Sequence, residues 1–521
     1  MISNLNKATQ KSGAHLARGG TWLAAGSYSE NIGIVILLII AARALTVSDI
    51  GVISFLLMLI ALSVTLASLA LPYVAMHMIA KERGQHKTES ANAVFHDVTF
   101  LSVILGVISL FVVVLTAEGI EVLLQMPVQA FVIRIAGLDV LPSVLIQTLA
   151  GSLLGAERFK EVGLAAIIGA IARTGLAIMF LLMGYGILGI IVAWLAGDIL
   201  WCSILGIGAS KEFPSVRRRA IRFSDFIDFA GPLYVSNIVE YLHQNIDRFI
   251  LLILLGTEIL GLYTPVVASV TMILIFSGSL VRPLISRISS ISVSASSQTI
   301  VELTQKAIRW ISFVFIPISF IFAIESGEFL LLVVGQDYLS AAPSLSILSV
   351  FIVLASQYYV FRAVLIGIGK SRDLLAANSI AVLANVCILF FLAGPLGLVG
   401  AAIARAFLFL FQWMISLVLI RRVRGLGISV FSSFDALIAS IGMALGLILL
   451  KIIGGEFLNI LFILIIGSLF YILALRVISP FSKDDFRFVR VYVPNRLEPI
   501  IDLFESFFLG NQKKHEPEIL D

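Results

Sequence analysis

Asn237, Glu240, Gln244 and Asp247 follow one another at spacings of three, four and three within a long apolar stretch, which puts all four on one face of a helix. Tyr234 extends the row by another step of three, Gly231-Pro232 loosens the chain where the row begins, and His243 and Arg248 flank it. A charge at the centre of a membrane helix costs about 2.5–3.5 kcal/mol on insertion scales, so such a row does not face lipid. Two arrangements remain open. The row either bonds neighbouring helices as a structural seam, or it lines an internal cleft. In the second case Asn237, Gln244 and Arg248 would touch a polar cargo, while Glu240 and Asp247 would exchange an ion.

Five arginines lie clear of the ends of the apolar stretches: Arg134, Arg173, Arg248, Arg362 and Arg405. Guanidinium stays charged in any environment and presents a planar fork that matches phosphate or carboxylate, so these side chains are candidate anion binders. Pairing with an acid is the competing role. Arg173 and Asp198 fall at similar depth on successive helices and are expected to bridge; Asp139 lies close to Arg134 in sequence. Arg362 neighbours Tyr358 and Tyr359, whose rings would stack on sugar faces or anchor the chain at the membrane interface. The first apolar stretch carries Ser27, Glu30 and Asn31 at mid-depth. Glu30 is either a titratable coupling group or the fixed partner of an arginine.

Other chemistries find no support. Gly369-Lys370-Ser371 resembles the end of a phosphate-binding loop, but Val364 stands where the earlier glycine is required, and an apolar helix precedes it instead of a strand. The six histidines show no metal-ligand spacing, and no zinc or nucleophile motif occurs. Cys202 and Cys387 both sit in apolar stretches, where they act as small buried hydrophobes. No catalytic residue, metal or cofactor is therefore expected, nor a nucleic-acid partner, and the chain is not read as an enzyme. Any work it performs draws on an H+ or Na+ gradient, on the membrane potential, or on consumption of a product.

The elements that hold these residues are apolar helices. Hydrophobic residues make up 59% of the 521 and charged residues 13%, about half the usual share for a globular protein. A bilayer crossing needs roughly 20 apolar residues, and lipid offers the backbone no hydrogen bonds, so continuous apolar runs must be helical. Fourteen spans are expected, near 20–43, 50–75, 97–116, 128–154, 161–183, 187–207, 226–254, 259–285, 307–324, 342–367, 373–393, 397–420, 434–453 and 457–477. A shorter apolar piece, Phe329 to Val334, precedes the tenth. The fold class is thus all-α, a polytopic membrane protein. Basic residues alternate between loops: Lys81, Arg83 and Lys87, Arg158 and Lys160, Arg217 to Arg219, Lys370 and Arg372, and Arg421, Arg422 and Arg424 all fall on one side. The other side holds acids, with only Arg43 and Lys451 at helix ends. By the positive-inside rule both termini are cytosolic.

The first six spans are echoed by the next six. Asp49-Ile50-Gly51 parallels Glu258-Ile259-Leu260-Gly261, Pro72 parallels Pro283, Glu118 and Glu121 parallel Glu325 and Glu328, and Gly186, Gly189 and Ala193 parallel Gly397, Gly400 and Ala404. An even number of spans per repeat makes the two halves parallel, related by an axis along the membrane normal. The expected organisation is an N-terminal lobe over 1–210, a second lobe over 211–425, helices 13 and 14 over 426–478, and a cytosolic tail over 479–521. Within the tail, Arg496 to Phe508 forms an amphipathic stretch suited to the headgroup plane.

With these residues in view the chain resembles the polysaccharide-repeat-unit exporters, the Wzx-type lipid-linked oligosaccharide flippases of the multidrug/oligosaccharidyl-lipid/polysaccharide superfamily. The likeness covers nearly all of 10–477. It rests on Ala42-Arg43-Ala44-Leu45 with Asp49-Ile50-Gly51, on Asp247-Arg248-Phe249-Ile250 with Leu260-Gly261-Leu262-Tyr263, and on Gly335-Gln336-Asp337-Tyr338, Gly367-Ile368-Gly369-Lys370 and Gly397 through Ala404. The resemblance implies two lobes working by alternating access in the cytoplasmic membrane. It implies a cargo of polyprenyl-phosphate- or pyrophosphate-linked sugars, and partners among glycan polymerases or glycosyltransferases. It also makes Asp247-Arg248 a recurrent pair whose plain role is local charge neutralisation. A lipid II-type flippase and an ion-coupled exporter of small amphipathic cations are the alternatives within the superfamily. A membrane-embedded glycan polymerase would need a sizeable external loop and acidic metal-binding pairs, and the sequence has neither.

Overall fold

The computed structural model describes residues 2–124, 130–216, 223–292, 297–423, 427, 433–454, 460–478, 486, 490 and 498–509, with side chains from residue 19 onward except within 223–229 and 453–464 and at 297, 500 and 509. Among these residues the chain is helical and contains no strand. In order the helices are α1 (Ile2–Ala44), α2 (Val47–Ser68), α3 (Leu71–Gly84), α4 (Thr88–Leu124), α5 (Ala130–Leu138), α6 (Val140–Gly155), α7 (Phe159–Leu182) and α8 (Gly186–Glu212). There follow α9 (Phe223–Ile291), α10 (Ser297–Ile324), the short α11 (Ser326–Val333), a 3-10 turn (Gln336–Ala341), α12 (Ala342–Val350), α13 (Ile352–Gly367), α14 (Ser371–Arg422), α15 (Phe434–Gly454), α16 (Ile460–Ile478) and the tail helix α17 (Glu498–Leu509).

Among the described residues ten helices are long and apolar enough to cross a membrane, or eleven if Gln336–Val350 and Ile352–Gly367, bent by 41°, form one span. That falls short of fourteen, and the shortfall has a physical origin. Ala230–Ile291 and Ser371–Arg422, 62 and 52 residues long, each count once, although each exceeds twice the roughly 20 residues of a crossing. Non-helical backbone interrupts them at Gly256 and Gly397. The apolar part of α16 is described only over Ile465–Ile478.

Local sequence explains where helices begin and end. Thr46 caps α2: its hydroxyl accepts from Asp49 N at 3.2 Å, while Asp49 Oδ2 accepts from Thr46 N at 3.1 Å. The span expected over 50–75 stops early. Leu69 and Ala70 both take positive φ, and Pro72 sits in the first turn of α3, where its missing N–H costs nothing. In the tail, α17 covers most of the expected amphipathic stretch, whereas Arg496 and Leu497 lie outside the described residues.

Two compact units divide the chain, Met1–Pro265 and Val266–Asp521. In the first, α1 lies on α7, α7 on α8, and α6 on α2, α3, α4 and α8. Leu71, Val74, Phe95, Val98, Leu153, Leu205 and Phe213 fill its core. In the second, α10 packs on α12, α13 and α15, α14 on α12 and α13, and α15 on α16; Phe313, Ile316, Met443, Leu447, Tyr471 and Leu475 form a core there. Because lipid is as apolar as these side chains, close packing and hydrogen bonds hold such bundles more than hydrophobic burial does.

Candidate functional site

Small residues decide what meets inside the first unit. A Cβ at Gly26 or Gly33 would press on Ala166 or Thr174, and one at Gly197 would press on the backbone of Arg173. The backbones of α1, α7 and α8 therefore approach closely and bring Glu30, Arg173 and Asp198 to one depth. Arg173 Nη2 lies 3.1 Å from Glu30 Oε1, and its Nη1 lies 3.4 Å from Asp198 Oδ1. The guanidinium also sits over the Trp201 ring, 5.9 Å from its centroid. The expected Arg173–Asp198 bridge forms, and Glu30 joins it as a third member.

A third acid completes the cluster. Asp139, between α5 and α6, is 4% exposed, and Asp198 is 3% exposed. Ser143 Oγ lies 3.2 Å from Asp198 Oδ2 and 3.5 Å from Asp139 Oδ2. One hydroxyl proton serves only one of them at a time. The other oxygen of Asp139, Oδ1, is buried without a hydrogen-bond partner. Three carboxyl groups thus face one guanidinium. Buried charge without compensation is strongly disfavoured, so the cluster is chemically suited to hold a proton.

The polar row on α9 divides. Glu240 accepts from Gln244 at 3.0 Å, with Gln244 exposed and Asn237 half-buried. Asp247 turns inward instead. Its Oδ1 accepts from Arg248 N at 2.9 Å and its Oδ2 from the Tyr263 hydroxyl at 2.7 Å. That geometry makes Asp247 a tie across the Gly256 break. Tyr234 and Tyr241 donate to the carbonyls of Leu66 and Met58 at 3.3 and 2.6 Å, fixing this part of α9 along α2.

The remaining arginines are dispersed. Arg134 pairs with Glu118 at 2.5 Å in an exposed setting, apart from the cluster around Arg173. Glu121 accepts from Ala130 N at 2.7 Å. Arg362 and Arg405 belong to the second unit, half-buried and buried respectively. One turn from Arg362, Tyr358 donates to Asn378 Oδ1 at 2.8 Å, and Gln412 reaches the same oxygen at 3.3 Å. Two members escaped the sequence reading. Asp139 stood out only as a neighbour of Arg134, although its spacing of four from Ser143 was a usable signal. Lys451 reaches the buried Glu325 at 2.7 Å, so α15 supplies the counter-ion for one of the repeated acids.

The second unit also holds an apolar cavity of about 410 Å³, lined by Trp310, Phe313, Met443, Tyr471 and Leu475 and by Ile501, Phe504 and Phe508 of α17. Arg476 lies over Phe507 of the same helix, 4.4 Å from the ring centroid. Arg490 bonds Asp502 and Glu505, each at 2.5 Å.

These features belong to a polytopic helical membrane protein with a transporter-type fold. The sequence profile of the polysaccharide biosynthesis protein family matches residues 40–343, and the chain belongs to that family. No curated protein sequence is matched. Among solved structures, the lipid II flippase MurJ in an inward closed conformation is similar at TM-score 0.69 and 14% identity, covering 88% of this chain and 98% of that one. An inward-facing multidrug resistance MATE family transporter of the MOP superfamily gives TM-score 0.61 at 16% identity, covering 75% of this chain and 94% of its own. A MOP superfamily transporter from Pyrococcus furiosus gives TM-score 0.55 at 16% identity, covering 79% and 95%. At these identities the likeness is one of fold.

Proposed function

We propose that the protein is a flippase that carries polyprenyl-linked oligosaccharide or polysaccharide repeat units across the cytoplasmic membrane, for cell-surface polysaccharide synthesis. Its termini are cytosolic on this reading, and the lobes 1–210 and 211–425 work by alternating access. The observation that carries the proposal is membership of the polysaccharide biosynthesis family by a chain that is almost wholly apolar helix. The apolar cavity beside α17 supports a cargo with a lipid chain. Arg362 and Arg405, with Asn237, Gln244 and Arg248, remain candidates for contact with phosphate and sugar.

Coupling is assigned to the cluster of Glu30, Asp139, Arg173 and Asp198, whose excess of acids supports uptake of H+ or Na+ from a gradient. Glu240 is a further candidate. Asp247 and Arg134 are given local roles, because each is satisfied by a near neighbour. Glycan polymerases and glycosyltransferases are the expected partners, and transport rather than catalysis is the activity.

The test is translocation of a polyprenyl-pyrophosphate disaccharide in liposomes, with and without an imposed proton or sodium gradient. Movement that requires the protein and responds to one gradient supports both parts of the proposal. Movement indifferent to either gradient and to Glu30→Gln removes the coupling assignment. A lipid II-type cargo is the second reading, favoured by the extent of the fold likeness to MurJ. Competition between the two headgroups separates them.

A further inference from the structure

One backbone joint occurs twice in the chain. The span made by α5 and α6 is interrupted at Asp139, and the span made by α12 and α13 at Phe351. They stand 212 positions apart, as do Gly155 and Gly367 at the ends of the same two spans. The hydrogen bonds match. Asp139 N donates to Ala136 O and Phe351 N to Leu348 O, each at 3.1 Å; Ser143 N donates to Asp139 O and Ala355 N to Phe351 O, again at 3.1 Å. A bond reaching back three residues instead of four tightens a helix locally. At Phe351 the two arms, Gln336–Val350 and Ile352–Gly367, meet at a bend of 41°.

The two joints are filled differently. Asp139 is buried among the acids around Arg173. Phe351 instead borders a hollow of about 530 Å³, inside the roughly 300–1,000 Å³ range of ligand pockets. Ile316, Ser319 and Gln357 at its back are buried, whereas Val350, Phe434 and Leu437 at its mouth are exposed. Its walls come from α10, α12, α13, α14 and α15, all of them parts of candidate membrane spans. The polar side chains in the wall are already bonded to the protein: Ser319 to Phe315 O at 2.8 Å, Gln357 to Ser312 at 2.9 Å, Trp413 to Gln357 at 2.7 Å and Ser433 to Ser312 at 2.7 Å. A trapped water needs two to four polar partners, and this wall leaves no donor open. An empty hollow would forfeit contacts along its whole lining. Hydrocarbon remains, and the mouth opens between membrane-crossing helices, where hydrocarbon is the solvent. The tail helix does not fill the space. Ile501, Phe504 and Phe508 of α17 line the other cavity, and none of its described residues lines this one.

We propose that the hollow at the Phe351 joint binds the acyl chain of a bilayer phospholipid, which fills the second joint as the acid cluster fills the first. The occupant is a resident lipid and not the carrier chain of a cargo. Buried side chains close the back of the hollow, so whatever enters leaves by the same mouth. A carrier that crosses the membrane with its headgroup needs a path with two ends. The site therefore does not depend on the flippase reading, and neither outcome of the translocation assay decides it.

Trp413 lines the hollow and reports on it. The full chain is reconstituted into phosphatidylcholine vesicles in which a rising fraction of the lipid is brominated at mid-chain, because bromine quenches an indole only at close range. The signal of Trp413 is the difference between the chain and its W413F variant. That signal is expected to fall linearly with the brominated fraction, as for one lipid at one site. The fall should be several-fold smaller in A323F, whose added ring occupies the hollow. Native mass spectrometry of the detergent-purified protein should show one retained phospholipid that A323F lacks. A steeper, curved fall, as several bulk lipids in contact would give, or a response indifferent to A323F, would overturn the site. Protection of Trp413 by added polyprenyl phosphate would overturn the assignment to a bilayer lipid, since the carrier would then hold the hollow. If A323F does not accumulate, V353F, a smaller intrusion into the same space, carries the comparison.

Discussion

Removing Arg173 is the sharpest perturbation of the acid cluster. Its side chain is 16% exposed and bridges Asp198, which is buried, and Glu30, whose side chain is 37% exposed. The two legs carry different weights. A partly exposed pair contributes roughly 0–1 kcal/mol, whereas stripping one partner from a buried pair costs about 3–5 kcal/mol because a charge is left uncompensated. The Asp198 leg therefore decides. Arg173→Ala should destabilise by about 3–5 kcal/mol, and Glu30→Gln by about 1 kcal/mol or less. At 1.4 kcal/mol per factor of ten, the first is roughly a hundred- to several-thousand-fold change in the folded ratio. Arg173→Ala with Asp198→Asn should recover much of the loss, since a buried pair replaced as a pair is often neutral. The assay is thermal unfolding of detergent-purified protein, read as a ranking because large membrane proteins do not unfold in two states. Arg173→Ala as stable as Glu30→Gln, or a double variant less stable than the single, would refute the reasoning.

The other predictions concern ties outside that cluster. Lys451→Met leaves the buried Glu325 without its counter-ion and should cost about 3–5 kcal/mol, seen as a lower melting temperature that Glu325→Gln in the same chain largely restores. Tyr263→Phe removes the hydroxyl bonded to Asp247 Oδ2 and should cost about 1–3 kcal/mol; hydrogen exchange should then rise around Gly256 and not in α7. Arg134→Ala breaks an exposed pair and should alter stability by less than about 1 kcal/mol, with translocation unchanged in the liposome assay.

What could be read from the sequence depended on how far apart the partners lie along the chain. Continuous apolar runs identified membrane helices, because no other structure satisfies the backbone in lipid. The Arg173–Asp198 bridge was legible because a helix, a tight turn and a second helix return two residues 25 positions apart to one depth. Glu30 reaches the same guanidinium from 143 positions away. Its presence depends on α1 packing against α7, and periodicity carries no information about that. The spacing puts the row on one face of α9, yet a face has two edges. Gln244 lies at the open edge, whereas Asp247 lies at the edge closed by Tyr263, 16 residues on. The early end of α2 was invisible because Leu69 and Ala70 take positive φ without glycine or asparagine to announce it.

The repeat itself shows why duplicated positions do not carry duplicated roles. Glu118 and Glu325 occupy matching places, yet the Glu118 side chain is 74% exposed and pairs with Arg134 from its own lobe, while that of Glu325 is 1% exposed and pairs with Lys451 from α15. One acid is a surface charge that tolerates loss; the other is a buried anion that requires its lysine. The added helix has therefore altered the chemistry of an inherited position without altering its place. Arg173 and Asp198 in the first unit face Glu30 and Asp139 as well, so the acids outnumber the base. Matching places in the two halves have thus diverged in charge and burial, so a substitution at one does not foretell the effect at its counterpart.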